Sequence, residues 1–105
     1  MNNITCALDV PDQIIIDTLI SAIEGGIYYW CRSAMVSAPD PLRARFEEAD
    51  GGATFEFTKA DWPRIVALMA TKAPRHFANM VGEVGDAVTG DVLVQIACFG
   101  EIKYG

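Results

Sequence analysis

Asp86-Ala-Val-Thr-Gly-Asp-Val-Leu-Val-Gln-Ile-Ala-Cys-Phe-Gly100 is the stretch on which the fold turns. Asp86 supplies a side-chain cap for the orphan N–H groups of a first helical turn. Val88, Val92, Ile96 and Phe99 recur every three or four residues, and Leu93 and Ala97 widen that stripe, the pattern of a helix set against a core. Gly90 inside it costs about 1 kcal/mol against alanine, so the spacing predicts a close helix contact there. Gly100 accepts the left-handed conformation that closes a helix. Glu101–Gly105 reads as a tail beyond that cap.

Upstream of this helix, Pro74 ends one helix and begins a short one with Phe77, Met80 and Val81 inward, and Gly82 and Gly85 bracket the turn that follows. The preceding helix buries Trp62, Ile65 or Val66, and Met69. Thr58 and Asp61 come close to a capping box, and a start at Asp61 puts Pro63 in the first turn. Ala53-Thr-Phe-Glu-Phe57 alternates as a strand does, with Phe55 and Phe57 on the buried face.

Residues 42–49 fit two patterns. Leu42, Ala44 and Phe46 alternate, whereas Leu42, Phe46 and Ala49 share a helical face. Asp40 as cap, Pro41 as first residue and Gly51 past the end favour a short helix. Ser37–Pro41 is a loop, and Tyr28–Val36 reads as a strand half exposed at Arg32 and Ser33. Between Pro11 and Gly25-Gly26, Asp12–Glu24 reads as a helix. Its polar stripe is Gln13, Asp17, Ser21 and Glu24, and its apolar stripe is Ile15, Ile16, Leu19, Ile20 and Ile23. Ile4–Leu8 alternates as a short first strand. The expected architecture is one α+β domain over residues 1–105: a small antiparallel sheet of about three strands covered by helices, with a helical C-terminal half.

The 105 residues are 51% apolar and 21% charged, a globular composition with room for one modest core. No apolar run approaches the roughly 20 residues that span a bilayer. The first residues lack a basic segment followed by an apolar one, so the expectation is a cytoplasmic protein with no membrane association. Cys6, Cys31 and Cys98 are too far apart for a zinc knuckle or a disulfide framework and read as reduced thiols.

The net charge of −6 is uneven. Residues 1–31 carry Asp9, Asp12, Asp17 and Glu24 and no base, whereas Lys59, Arg64, Lys72 and Arg75 lie in residues 59–76 against Asp61 alone. An acidic chain is repelled by nucleic-acid backbones, and the basic segment reads as a solvated helix surface.

No catalytic constellation stands out. The single histidine, His76 beside Arg75, has no Cys or His partner at ligand spacing, so no metal and no cofactor are expected. Cys31 sits in an apolar-aromatic run that favours an inert thiol. Glu47 and Glu48 point about 100° apart on a helix, and no phosphate-binding glycine loop is present. The best binding candidates are Tyr28, Tyr29 and Trp30, since Tyr and Trp join large contact area to a polar handle. On a strand, Tyr28 and Trp30 would share one face and Tyr29 the other, which leaves both core and interface roles open. Phe99, Ile102 and Tyr104 pose a similar choice: they dock on the domain or on a second subunit.

Three blocks carry a resemblance. Ala22-Ile-Glu-Gly-Gly-Ile-Tyr-Tyr-Trp30, Pro74-Arg-His-Phe-Ala78 and Asp86–Gly105 resemble the blocks A-[IL]-E-G-G-x-x-Y-W, P-R-H-F-A and D-A-x-T-x-D-V-x-x-Q-x-A-x-F-G-E-[IV]-x-Y-G of a family of small bacteriophage and prophage proteins. Residues 33–60 match weakly, and Lys103 stands where such proteins more often carry an apolar residue. The resemblance implies a source in a bacterial host's cytoplasm and action by occupying a surface of another protein. The expectation is therefore a non-enzymatic accessory protein that binds and modulates a host or phage protein, with inhibition of a host defence system (an anti-CRISPR activity) as one form. Asp12, Asp17, Glu24, Tyr28, Tyr29, Trp30, Arg75, His76 and Tyr104 are its candidate partner-binding residues. One alternative is a single-stranded-DNA accessory using Lys59, Arg64, Lys72, Arg75 and Tyr29. The other is a structural homodimer built on the C-terminal segment.

Overall fold

A computed structural model describes residues 9–37 and 42–105; the strand expected at Ile4–Leu8 lies outside them, as do Asp40 and Pro41. Helix α1 (Asp12–Ser21) runs into a single π-helical turn, Ala22–Gly26. Strands β1 (Cys31–Val36), β2 (Ala44–Glu48) and β3 (Thr54–Phe57) follow, then a 3₁₀ turn (Lys59–Asp61) and helices α2 (Trp62–Lys72), α3 (Pro74–Val81) and α4 (Ala87–Phe99). The sheet is antiparallel in the order β1-β2-β3. This is the α+β architecture that the sequence predicts.

The central strand overturns one expectation. Residues 44–48 are a strand, not a helix. Ala44, Phe46 and Glu48 point inward and are buried, while Arg45 is exposed. Two flanking strands offer this segment a complete ladder, and that tertiary pairing overrides its weak helical signals. Gly51 and Gly52, with φ of +84° and +69°, turn the β2–β3 hairpin instead of closing a helix. The solvent face of the sheet is charged: Arg45 meets Glu56 across strands at 3.4 Å, and Arg32 meets Glu47 at 3.7 Å. Such a face stays wet while its reverse packs on the core.

Helix α4 runs through the domain. Thr89–Ile96 is buried without a break, and the helix packs on α1, the π turn, α2 and α3. Asp86 caps it by accepting from Val88 N and Thr89 N at 3.0 and 3.1 Å, and Gly100 closes it at φ +73°. A Cβ on Gly90 would stand 2.7 Å from Thr18 O and Ala22 N, so the predicted close contact is made with α1. The apolar stripe begins later than its periodicity suggests. Val88 is 56% exposed, because the π turn packs on the Ala87 side of that first turn, where a Cβ on Gly26 would collide with the Ala87 carbonyl. On α1, Ile15 and Leu19 are buried, and Ala22 in the π turn extends the stripe. Ile20 is 42% exposed, outside the stripe assigned to it.

The Thr58–Asp61 capping box forms, and Pro63 sits in the first turn of α2. Trp62 is buried and donates its indole N–H to Leu42 O at 2.6 Å.

Candidate functional site

The glycine-aromatic block is a turn where the sequence predicts a strand. Trp30 N and Cys31 N both donate to Ile27 O, at 3.1 and 2.9 Å, and Ile27 is fully buried. A turn wound on one carbonyl does not alternate its side chains. Tyr28 and Tyr29 therefore both face out, 51% and 60% exposed, and Trp30 alone faces in, at 2%. The shared face expected for Tyr28 and Trp30 does not exist.

Tyr29 and Trp30 converge on Asp91, in the second turn of α4. Asp91 Oδ2 accepts from the Tyr29 hydroxyl at 2.5 Å, and Oδ1 accepts from Trp30 Nε1 at 2.8 Å and Gln95 Nε2 at 2.9 Å. One turn on, Gln95 behaves as a peptide group would. Its Oε1 accepts from Lys103 N and Tyr104 N at 2.8 and 2.7 Å, and its Nε2 lies 3.1 Å from Tyr104 O and 3.2 Å from the Tyr29 hydroxyl. The C-terminal segment is thus pinned to the domain.

The Tyr104 ring stacks on Trp30 with centroids 5.6 Å apart and planes 7° off parallel. Phe99 packs on Trp30 at 5.3 Å and edge-on against Phe55 at 5.3 Å. Beneath them the buried Glu48 accepts from the Tyr104 hydroxyl and from Lys103 Nζ, the latter at 2.7 Å. Lys103 Nζ also lies 4.8 Å from the Phe99 ring centroid. Residues 101–105 are therefore a strap and not a free tail. Of the two placements open to Tyr104, it takes its own domain.

The electrostatics follow the hydrogen bonds. Those from Lys103 and Tyr104 hold the Glu48 carboxyl below its ordinary value, and Glu48 in turn raises Lys103 and Tyr104. Burial, then the bond to Asp91, pushes the Tyr29 hydroxyl up to about 12. Burial also raises Cys31 and Cys98, both free thiols. Near neutrality Tyr29 and both thiols are protonated, so none is an activated nucleophile. Among the described residues every buried side-chain N or O has a hydrogen-bond partner. A polar network so satisfied rigidifies what it joins.

The remaining candidates lie elsewhere. Asp12 pairs with Lys59 at 3.1 Å, and Asp17 accepts from Gln13 at 2.8 Å. Asp17, Glu83 and Asp86 line a cavity of about 190 Å³ between α1 and the start of α4. Glu24 is exposed in the π turn, as is Arg75 in the first turn of α3. His76 Nδ1 lies 3.4 Å from Thr89 Oγ1. A second cavity of about 500 Å³ is lined by Ile15, Leu42, Trp62 and Phe77 among other apolar side chains, with Asp9, Asp12 and Lys59 also on its wall. Among the described residues no group of three His, Cys, Asp or Glu could hold a metal ion, and no helix is long and apolar enough to cross a membrane.

The structure thus gathers Tyr29, Trp30 and Tyr104 and leaves the α1 carboxylates, Arg75 and His76 apart from them. It adds Asp91, Gln95, Glu48 and Lys103, which sequence reasoning missed. The available signal was the pair Asp91 and Gln95, two polar residues four apart inside an otherwise apolar helix. Comparison of the chain with family models, curated proteins and solved structures finds no match.

Proposed function

We propose that this chain is a non-enzymatic accessory protein of phage or prophage origin that binds and modulates a host or phage protein, inhibition of a host defence system of the anti-CRISPR kind being one form. The observation that carries the reading is the pair of adjacent, largely exposed rings Tyr28 and Tyr29 on an acidic chain. Asp17 and Glu24 lie outward on α1 and its π turn, and Tyr28 and Tyr29 follow within five residues of Glu24, 51% and 60% exposed. Aromatic anchors inside a charged rim are the composition of protein interfaces. With a net charge of −6 the surface favours a basic partner, through faster encounter and rejection of acidic ones. The single-stranded-DNA alternative has less support, since Lys59 and Arg64 are engaged by Asp12 and Asp61 at 3.1 and 3.9 Å.

The test is capture from a bacterial host with tagged wild type and with Asp17→Lys/Glu24→Lys, followed by mass spectrometry. One stoichiometric protein retained by the wild type and released by the charge reversal is the expected result. The same protein held equally by both would refute the acidic surface, and nuclease-sensitive recovery of many nucleic-acid proteins would favour the alternative.

A further inference from the structure

Resting on that reading, we infer that Tyr29 is the anchor of the surface: its exposed ring, held at its hydroxyl by the Asp91 carboxylate, receives an arginine guanidinium of a basic protein partner. Three observations meet at this side chain.

First, the ring is 60% exposed, yet its hydroxyl is fixed at both the Asp91 carboxylate (2.5 Å) and the Gln95 amide (3.2 Å). An exposed tyrosine normally loses rotamer freedom when a partner covers it. Here the folded chain has already ordered it, so binding costs little further entropy.

Second, Asp91 is a buried carboxylate whose hydrogen-bond donors among the described residues are Tyr29, Trp30 and Gln95, all neutral. None of the ion pairs among the described residues includes it. The nearest base in the network, Lys103, is spent on Glu48 at 2.7 Å. A carboxylate bonded to a phenol enriches the negative face of that ring, and the low-dielectric surroundings carry its field outward.

Third, the rim suits a cation that must shed water. Val88 shares the α4 face of Asp91 and Gln95 and is 56% exposed, and Tyr28 is 51% exposed. The π turn bearing Glu24 packs on the first turn of α4, with Gly26 against the Ala87 carbonyl. An apolar border excludes water from a central contact. Guanidinium fits better than ammonium because it is planar, more weakly hydrated and stacks on aromatic faces.

The experiment uses the full chain and hexa-arginine amide as probe, by calorimetric titration at about 150 mM salt, where long-range attraction between exposed charges is screened. The wild type should bind hexa-arginine more tightly than hexalysine. Tyr29→Ala, which leaves the net charge unchanged, should lose roughly fivefold or more in affinity, and Tyr29→Phe, which keeps the ring but loses the hydroxyl's bonds to Asp91 and Gln95, should fall between wild type and Tyr29→Ala. A second readout needs no variant: in the wild type the Tyr29 ring resonances and the Trp30 indole N–H should shift saturably with the arginine peptide.

Equal affinity of wild type and Tyr29→Ala, or no saturable shift at Tyr29, overturns the anchor. If Asp17→Lys/Glu24→Lys still weakens the peptide in that case, the acidic-surface reading stands without it. If the wild type binds no basic peptide, or prefers an oligothymidylate, both fail together.

Discussion

Gln95→Met separates the strap from the rest of the domain. The substitution keeps length and burial at a side chain only 1% exposed and deletes its amide. Three contacts to the strap disappear, those with Lys103 N, Tyr104 N and Tyr104 O. At about 1 kcal/mol net per bond their loss amounts to about 3 kcal/mol, and the contacts with Asp91 and Tyr29 add roughly 1–2 kcal/mol. The strap component cannot exceed the free energy with which residues 101–105 dock, since a weakened strap can detach and rehydrate. A double-mutant cycle with a chain ending at Gly100 isolates it. In the full chain Gln95→Met should cost about 4–5 kcal/mol, and in the shortened chain roughly 1–2 kcal/mol, giving a coupling of about 3 kcal/mol. Urea unfolding followed by tryptophan fluorescence and far-ultraviolet circular dichroism measures each corner. A coupling below about 0.5 kcal/mol would refute the peptide-like role of Gln95.

Other consequences follow from single contacts. Gly90→Ala should destabilise by about 2 kcal/mol or more in thermal melts, because its Cβ would stand 2.7 Å from Thr18 O and Ala22 N. Glu48 has a depressed folded-state value, so its contribution is present above its ordinary value of 4.5 and is lost as pH falls through the lower folded one. Acid unfolding should therefore steepen below pH 4.5, and Glu48→Gln should flatten the profile there. Tyr29 is raised from 10.0 to about 12, so its contribution is full below pH 10 and is lost as pH rises through about 12. Phenolate absorbance should show one late-titrating tyrosine that moves part of the way back toward 10.0 in Asp91→Asn, because burial, the larger cause, remains. Cys31 and Cys98 should resist thiol reagents in the folded chain and react on denaturation, as burial raises both.

Most elements were legible locally. The caps at Asp86 and Gly100, the Thr58–Asp61 box and the proline at α2's first turn are short-range signals, and the structure contains each of them. Gly90 was legible for the same reason, as a glycine in an apolar helix demands a close neighbour. The failures are nonlocal. Strand β2 hid because its third inward residue is Glu48, and a carboxylate breaks the alternation that marks a half-buried strand. Its partners, Lys103 and Tyr104, lie 55 and 56 residues away.

The Tyr28–Trp30 turn hid because aromatic residues favour strands, whereas the geometry here is set by Ile27 and by Asp91 sixty-one residues beyond Trp30. The candidate site was half visible. Tyr29, Trp30 and Tyr104 stand out as aromatic residues, but the Asp91 and Gln95 that join them look like ordinary polar positions until α4 is known to be buried all round. The first and last of the three sequence blocks are the two sides of this one contact.

The Trp30 indole N–H reports on that contact most directly, since its acceptor is Asp91 Oδ1 at 2.8 Å and its ring lies under Tyr104. Its hydrogen exchange in the native protein is the measurement to make. The indole should exchange only through opening as rare as global unfolding, and markedly faster in Gln95→Met, where the strap is released. Exchange of the wild-type indole within seconds at neutral pH, or an unchanged rate in Gln95→Met, would contradict that arrangement.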